Sequence, residues 1–66
     1  MVTESRKKYR LEFRKTILEA ARQAFAADGY EGVSMRTLAE RIGASHGSLY
    51  THFRGKDEIF DALAEE

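Results

Sequence analysis

The sequence predicts an all-α domain of three helices followed by the start of a fourth. Three observations lead there. Proline is absent, and Ala, Leu, Glu, Lys and Arg, all good helix formers, are common. Met35, Leu38, Ala39 and Ile42 recur at i, i+3, i+4 and i+7, one face of a helix. Glycines punctuate the chain where each apolar stripe stops, at Gly29, Gly43 and Gly55.

The first long helix should run from about Tyr9 or Arg10 to Ala27. Phe13, Ile17, Ala20, Ala21, Ala24 and Phe25 fall on one broad stripe, and Glu12, Lys15, Glu19, Arg22 and Gln23 on the wetter side. Asp28-Gly29 ends it, with Gly29 as the residue past the last turn. Tyr30 then reads as a core plug and Gly32 as a second bend before Val33. Ahead of this helix, residues 1–8 are polar, and Arg6-Lys7-Lys8 shows no core pattern. That segment is either a frayed, solvated terminus or a basic arm that follows phosphates or enters a minor groove.

The second helix spans about Met35 to Ile42. Ser34 precedes it, where a side-chain oxygen can accept from a free N–H of the first turn. Gly43 follows, able to adopt the left-handed conformation that closes a helix. Ser45 can cap a third helix, about His46 to Phe53, with Leu49 and Phe53 spaced i, i+4 on its buried side. Helix, short Gly-containing turn, helix is the helix-turn-helix plan, homeodomain-like in outline, whose second helix enters the DNA major groove. Arg54-Gly55 breaks the pattern, and a fourth helix begins near Lys56. Asp57 and Glu58 stand in its first turn, where negative charge is favoured, and Ile59, Phe60, Ala62 and Leu63 are its apolar residues. It is still in phase at Glu66, so the chain reads as the N-terminal part of something longer.

At about 100° per residue from His46, Leu49 and Phe53 fall near 300° and 340°. Gly47, Ser48, Thr51 and His52 then face outward, with His46 and Tyr50 at the flanks. That face is small, polar and uncharged, whereas an ordinary solvated face carries Lys and Glu. Ser and Thr can hydrogen-bond phosphate or base edges, and the Thr methyl can pack on thymine. Gly47 allows close backbone approach, and a Tyr50 hydroxyl can donate to phosphate. Arg36 and Lys56 are placed to grip the backbone on either side of the groove. Each of these residues has a plainer alternative as ordinary polar surface.

Composition narrows the function. Sixty-six residues make at most one small domain. No Cys means no disulfide framework and no thiolate metal site, in agreement with a reducing cytoplasm. No apolar run approaches a membrane span or a signal segment. Net charge is zero, which alone argues against nucleic acid, but its distribution is lopsided. Residues 1–15 carry six basic side chains against two acidic (+4), residues 16–56 five against four (+1), and residues 57–66 five acidic and none basic (−5). That asymmetry is expected if only part of the surface meets phosphate. An enzyme would need Ser, His and Asp converging in a cleft, and two helical turns give none. His46 and His52 are six apart, on different faces, and do not share a metal. The expectation is therefore no catalytic residue, no metal and no cofactor. A helical protein-interaction module without DNA binding is the alternative that neutral net charge keeps open.

Three stretches carry a family resemblance: I-L-E-A-A-R-Q-A-F-A-A-D-G-Y (17–30), V-S-M-R-T-L-A-E-R-I-G-A-S-H-G-S-L-Y-T-H-F (33–53) and K-D-E-I-F-D-A-L (56–63). In order and spacing they closely resemble the N-terminal DNA-binding domain of TetR-family transcriptional regulators, over about residues 13 to 64. The resemblance implies a homodimer whose two helix-turn-helix units bind half-sites of a palindromic operator in double-stranded DNA. It also implies a helical C-terminal domain that dimerises and binds a small-molecule inducer. By position, groove and phosphate contacts would come from Ser34, Met35, Arg36, Ser45, His46, Gly47, Ser48, Tyr50, Thr51, His52 and Lys56, with Leu49 and Phe53 as core.

Overall fold

The computed structural model describes the backbone of residues 2–65 and the side chains of residues 8–65. The described residues form four helices and no strand: α1 Val2–Asp28, α2 Met35–Ile42, α3 His46–His52 and α4 Lys56–Glu65. Helix α1 has 27 residues, about 40 Å at 1.5 Å per residue, and so spans the 41 Å long axis of the molecule. Helices α2 and α4 pack against α1, and α3 packs against α2.

The start of α1 departs from the sequence expectation. The helix begins at Val2 and not near Tyr9 or Arg10. Residues 2–8 hold neither Gly nor Pro, so nothing stops a strong helix from extending backward through them. The side chains of Arg6 and Lys7 lie outside the described residues; Lys8 is an exposed residue of α1.

The core is one cluster. Ile17, Leu18, Ala21 and Ala24 enter it from α1, Val33 from the loop, Met35, Leu38 and Ala39 from α2, Leu49 and Phe53 from the α3 region, and Ile59 from α4. Phe13, Phe25, Ile42, Ala62 and Leu63 pack around it, partly buried. Leu18 lies one step outside the expected stripe. It is buried because α1 receives neighbours on more than one side, so its apolar face is wider than a single-partner stripe. Phe60, expected with the apolar face of α4, is instead 47% exposed. It meets Phe25 and Tyr30 edge-on at centroid distances of 5.7 and 5.4 Å, while Phe25 and Tyr30 stack at 5.6 Å.

The loop between α1 and α2 is folded tightly. Gly29 N–H donates to Phe25 O, Gly32 N–H to Gly29 O and Val33 N–H to Tyr30 O. At Gly32 a Cβ would sit 2.4 Å from Asp28 O, so no larger residue fits without moving the chain. Lys56 then fastens this loop to α4. Its ammonium donates to Tyr30 O at 2.8 Å and Val33 O at 2.9 Å, and lies 4.2 Å from the Tyr30 ring centroid. A half-buried cation satisfied by two carbonyls and an aromatic face is a strong local tie.

At the start of α4, Gly55 offers no side-chain acceptor. The Glu58 side chain reaches back across that turn, where its Oε1 accepts from Arg54 N–H at 2.9 Å. Its negative charge also sits in the first turn, where the helix dipole favours it.

Two stability outcomes follow from this packing. Leu49 is fully buried, so Leu49→Ala should cost about 2–5 kcal/mol, a large part of the stability of so small a domain. Urea titration followed by circular dichroism measures it, and a wild-type midpoint would remove Leu49 from the anchoring role. Lys56→Met should cost about 1–3 kcal/mol by stranding two carbonyls, seen as a melting point lower by at least about 5 °C. An unchanged melting point would show that the tie contributes nothing.

Candidate nucleic-acid interface

Helix α2 is bounded at both ends by side-chain and backbone caps. Ser34 is extended, with φ −130° and ψ 161°, and its Oγ accepts from Thr37 N–H at 3.1 Å. Thr37 Oγ1 in return accepts from Ser34 N–H at 3.1 Å, completing a capping box with Thr where Glu or Gln is usual. The Ser34 hydroxyl also donates to Thr37 Oγ1. At the other end Gly43 has φ 71°, a left-handed conformation that a Cβ would strain. Gly43 N–H donates to Glu40 O and Ala44 N–H to Ala39 O, the paired bonds of a Schellman close. The chain is thereby turned sharply enough to start α3 three residues later, at His46.

Ser45 opens α3. Its Oγ accepts from Ser48 N–H at 3.1 Å and donates to Ser48 Oγ at 3.0 Å. Ser34 and Ser45, both expected among the contact residues, thus have hydroxyls engaged in building the two helices. Met35 is buried and belongs to the core, not to the outward surface.

Within α3 only Leu49 is buried, and Phe53 closes the helix as its buried C-terminal cap, donating its N–H to Leu49 O. Arg14 lies with its guanidinium carbon 5.1 Å from the Phe53 ring centroid. His46, Gly47, Ser48, Tyr50 and Thr51 are all exposed. His46 and Tyr50 meet edge-on at 6.2 Å. His52 differs from its expected outward position: it is half-buried, edge-on to Phe13 at 5.0 Å, and Phe13 stacks with Tyr9 at 6.4 Å. An aromatic line therefore ties the N-terminal half of α1 to the end of α3. The hydroxyls of α3 are not equivalent. Thr51 donates to Ser48 O at 2.6 Å, whereas Ser48 Oγ receives a bond from Ser45 and keeps its own proton to donate.

Around this face the structure adds residues that sequence reasoning did not place. Tyr9, Arg10, Phe13 and Thr16 of α1 line one groove with Gly43, Ser45, Ser48 and Thr51. These α1 residues lay inside the expected first helix, but the packing that brings that helix beside α3 has no local signal in the sequence. Arg36 projects into solvent, its side chain 76% exposed, and its Nε is 3.6 Å from Glu40 Oε2 one turn on, an ion pair of small value at such exposure. Lys56 spends two of its three ammonium N–H bonds on Tyr30 O and Val33 O, leaving one not given to a carbonyl. Among the described residues no group of three or more metal-ligating side chains gathers, and no helix is long and apolar enough to cross a membrane.

Comparison with known proteins agrees with this geometry. Residues 17–63 match the model of the family described as bacterial regulatory proteins, tetR family. Over 53 residues the chain is 49% identical to the HTH-type transcriptional repressor AcnR of Corynebacterium diphtheriae, covering 80% of this chain and 28% of that protein. It is 47% identical, with the same coverage, to the HTH-type transcriptional repressor Rv1474c of Mycobacterium tuberculosis. It is 44% identical over 50 residues to the class A tetracycline repressor protein from transposon 1721 of Escherichia coli, covering 76% of this chain and 23% of that protein. The chain thus spans about a quarter of the length of these relatives. No solved structure matches it with significance. Its helix-turn-helix, its four-helix order and its match over residues 17–63 place the chain in the tetR family of bacterial regulatory proteins.

Proposed function

We propose that this chain is the DNA-reading head of a cytoplasmic transcriptional repressor that binds double-stranded DNA sequence-specifically. The observation that carries it is the outward face of α3: exposed, uncharged and made of Gly47, Ser48 and Thr51, held by one buried leucine. Small polar side chains there can enter a major groove and meet base edges. Arg36, with Tyr50, His46 and the remaining N–H of Lys56, supplies backbone contacts that set the register. Lys8 and Arg10, exposed on α1, would add contacts to the phosphates beside the site. The three relatives named above are repressors, which favours the same reading.

In this proposal the intact protein is a homodimer bound to a palindromic operator. Its two heads occupy half-sites about one helical turn or more apart. A small-molecule inducer in a C-terminal domain alters their separation through α4, and simultaneous engagement is lost. Asp57, Asp61 and Glu65 are exposed on α4, and that acidic helix leads away from the phosphates.

Selection from random duplex DNA with the intact protein, at two salt concentrations, tests this. Enrichment of a palindrome, with affinity that falls as salt rises, is expected. No enrichment at either salt, from folded protein free of inducer, would favour a protein-interaction module instead. Arg36→Ala should weaken binding evenly across operator variants and reduce the salt slope by about 1. An unchanged slope would take Arg36 off the phosphate backbone.

A further inference from the structure

We propose that Thr51 reads its base as a hydrogen-bond acceptor only, selecting an exocyclic amino group, the N6 amino of adenine or the N4 amino of cytosine. This rests on the DNA-reading function proposed above and specifies its chemistry.

A threonine hydroxyl has one proton and two lone pairs, so a free threonine reads donors and acceptors alike. Thr51 is not free. Its hydroxyl is 2.6 Å from Ser48 O, one turn back along α3. A carbonyl oxygen has no proton to give, so the direction of that bond is settled: Thr51 donates. The short distance marks a well-made O–H···O bond. The β-branched side chain is stiff about χ1, and a rotamer that bonds the i−3 carbonyl is one of the few open to Thr in a helix. Turning the proton toward DNA would break this bond with nothing gained inside the helix. What Thr51 presents outward, from an exposed position, is therefore lone pairs and a methyl group.

In the major groove that combination fits some bases and not others. Guanine offers N7 and O6, and thymine offers O4, all acceptors that would oppose the Thr51 oxygen. Adenine and cytosine offer amino hydrogens. An A·T pair presents an amino donor together with the thymine methyl, so both halves of the Thr51 side chain find a partner on it. Ser48 differs from Thr51, because its Oγ accepts from Ser45 and its own proton is still free to donate. Of the two neighbouring hydroxyls, only Ser48 can therefore donate to a base acceptor such as guanine O6 or thymine O4.

The test is a double-mutant cycle on the selected operator, using intact wild-type protein, Thr51→Val and Thr51→Ser. Valine keeps the shape and removes the oxygen; serine keeps the oxygen and removes the methyl. Each adenine of the half-site is replaced in turn by purine, and each cytosine by pyrimidin-2-one, deleting only the exocyclic amino group. In parallel, 7-deazapurines delete the N7 acceptor. Thr51→Val should weaken operator binding about threefold to tenfold, the range for one lost hydrogen bond. At one position that loss should vanish when the amino group is absent, and 7-deaza substitution should leave it intact everywhere. Thr51→Ser should retain the coupling to the same amino group. Wild-type affinity of Thr51→Val for the operator, or a coupling to N7 in place of an amino group, overturns the assignment while leaving the DNA-reading function standing. Failure of the wild-type protein to enrich any sequence overturns both.

Discussion

Everything presented outward by α3 depends on the burial of Leu49. The helix is seven residues long, far below the length at which a helix persists unaided in water. It is held by one fully buried side chain, by the Ser45 hydroxyl at its start and by Phe53 at its end. That economy has a consequence. With the packing concentrated in Leu49 and Phe53, the remaining positions need not contribute to the core, and they are free to be small and polar. A helix that shared its packing among several leucines would have less surface to give to another molecule.

The frame behind α3 is built from polar groups that find partners close by. Among the described residues no buried side-chain nitrogen or oxygen lacks a hydrogen bond. Ser34 and Thr37 satisfy each other across the first turn of α2, Glu58 accepts from Arg54 N–H just ahead of α4, and Lys56 closes the loop 29–34 onto α4. The last of these matters for the proposed mechanism. A lever that moves α4 must either carry that loop with it or break the two Lys56 bonds. Because the loop leads directly into Ser34 and α2, the displacement would reach the reading helix through covalent chain and hydrogen bonds together.

The two central helices were legible because their boundaries are written locally. Ser34 and Gly43 bracket α2 and Ser45 opens α3; each acts through its own backbone conformation or its nearest turn. What was not legible depends on partners distant in the chain. The early start of α1 has no local marker, since residues 2–8 are permissive and nothing among them specifies a first residue. Leu18 was not part of the expected stripe and is core because α1 receives both α2 and α4. His52 was placed outward by helical angle alone, and Phe13, 39 positions earlier by the numbering, draws it in. Lys56 looked like a surface cation, and its two carbonyl partners lie 23 and 26 residues away. Of the candidate site, the α3 face could be read from periodicity, but the donors and acceptors on it could not. Periodicity fixes which side a residue faces; it does not show where a hydroxyl proton goes.

The placement of charge along the chain bears on how the proposed repressor would choose its site. Non-specific attraction to DNA comes from cations neutralising phosphates and releasing counterions. That term counts the phosphates met and not the net charge, so a head with few cations beside its reading helix gains from it an attraction that is limited and blind to sequence. It then depends more on base contacts, and a seven-residue helix with a few small hydroxyls makes few of them. In the proposed homodimer the deficit would be made good when two heads engage at once. The second binds at the high effective concentration set by the first, so overall affinity rises without any new kind of contact. The same arithmetic explains why a change in spacing would suffice for release. If each head alone binds weakly, losing the second is equivalent to losing the site, and an inducer need only disturb the distance between heads and leave their contacts untouched.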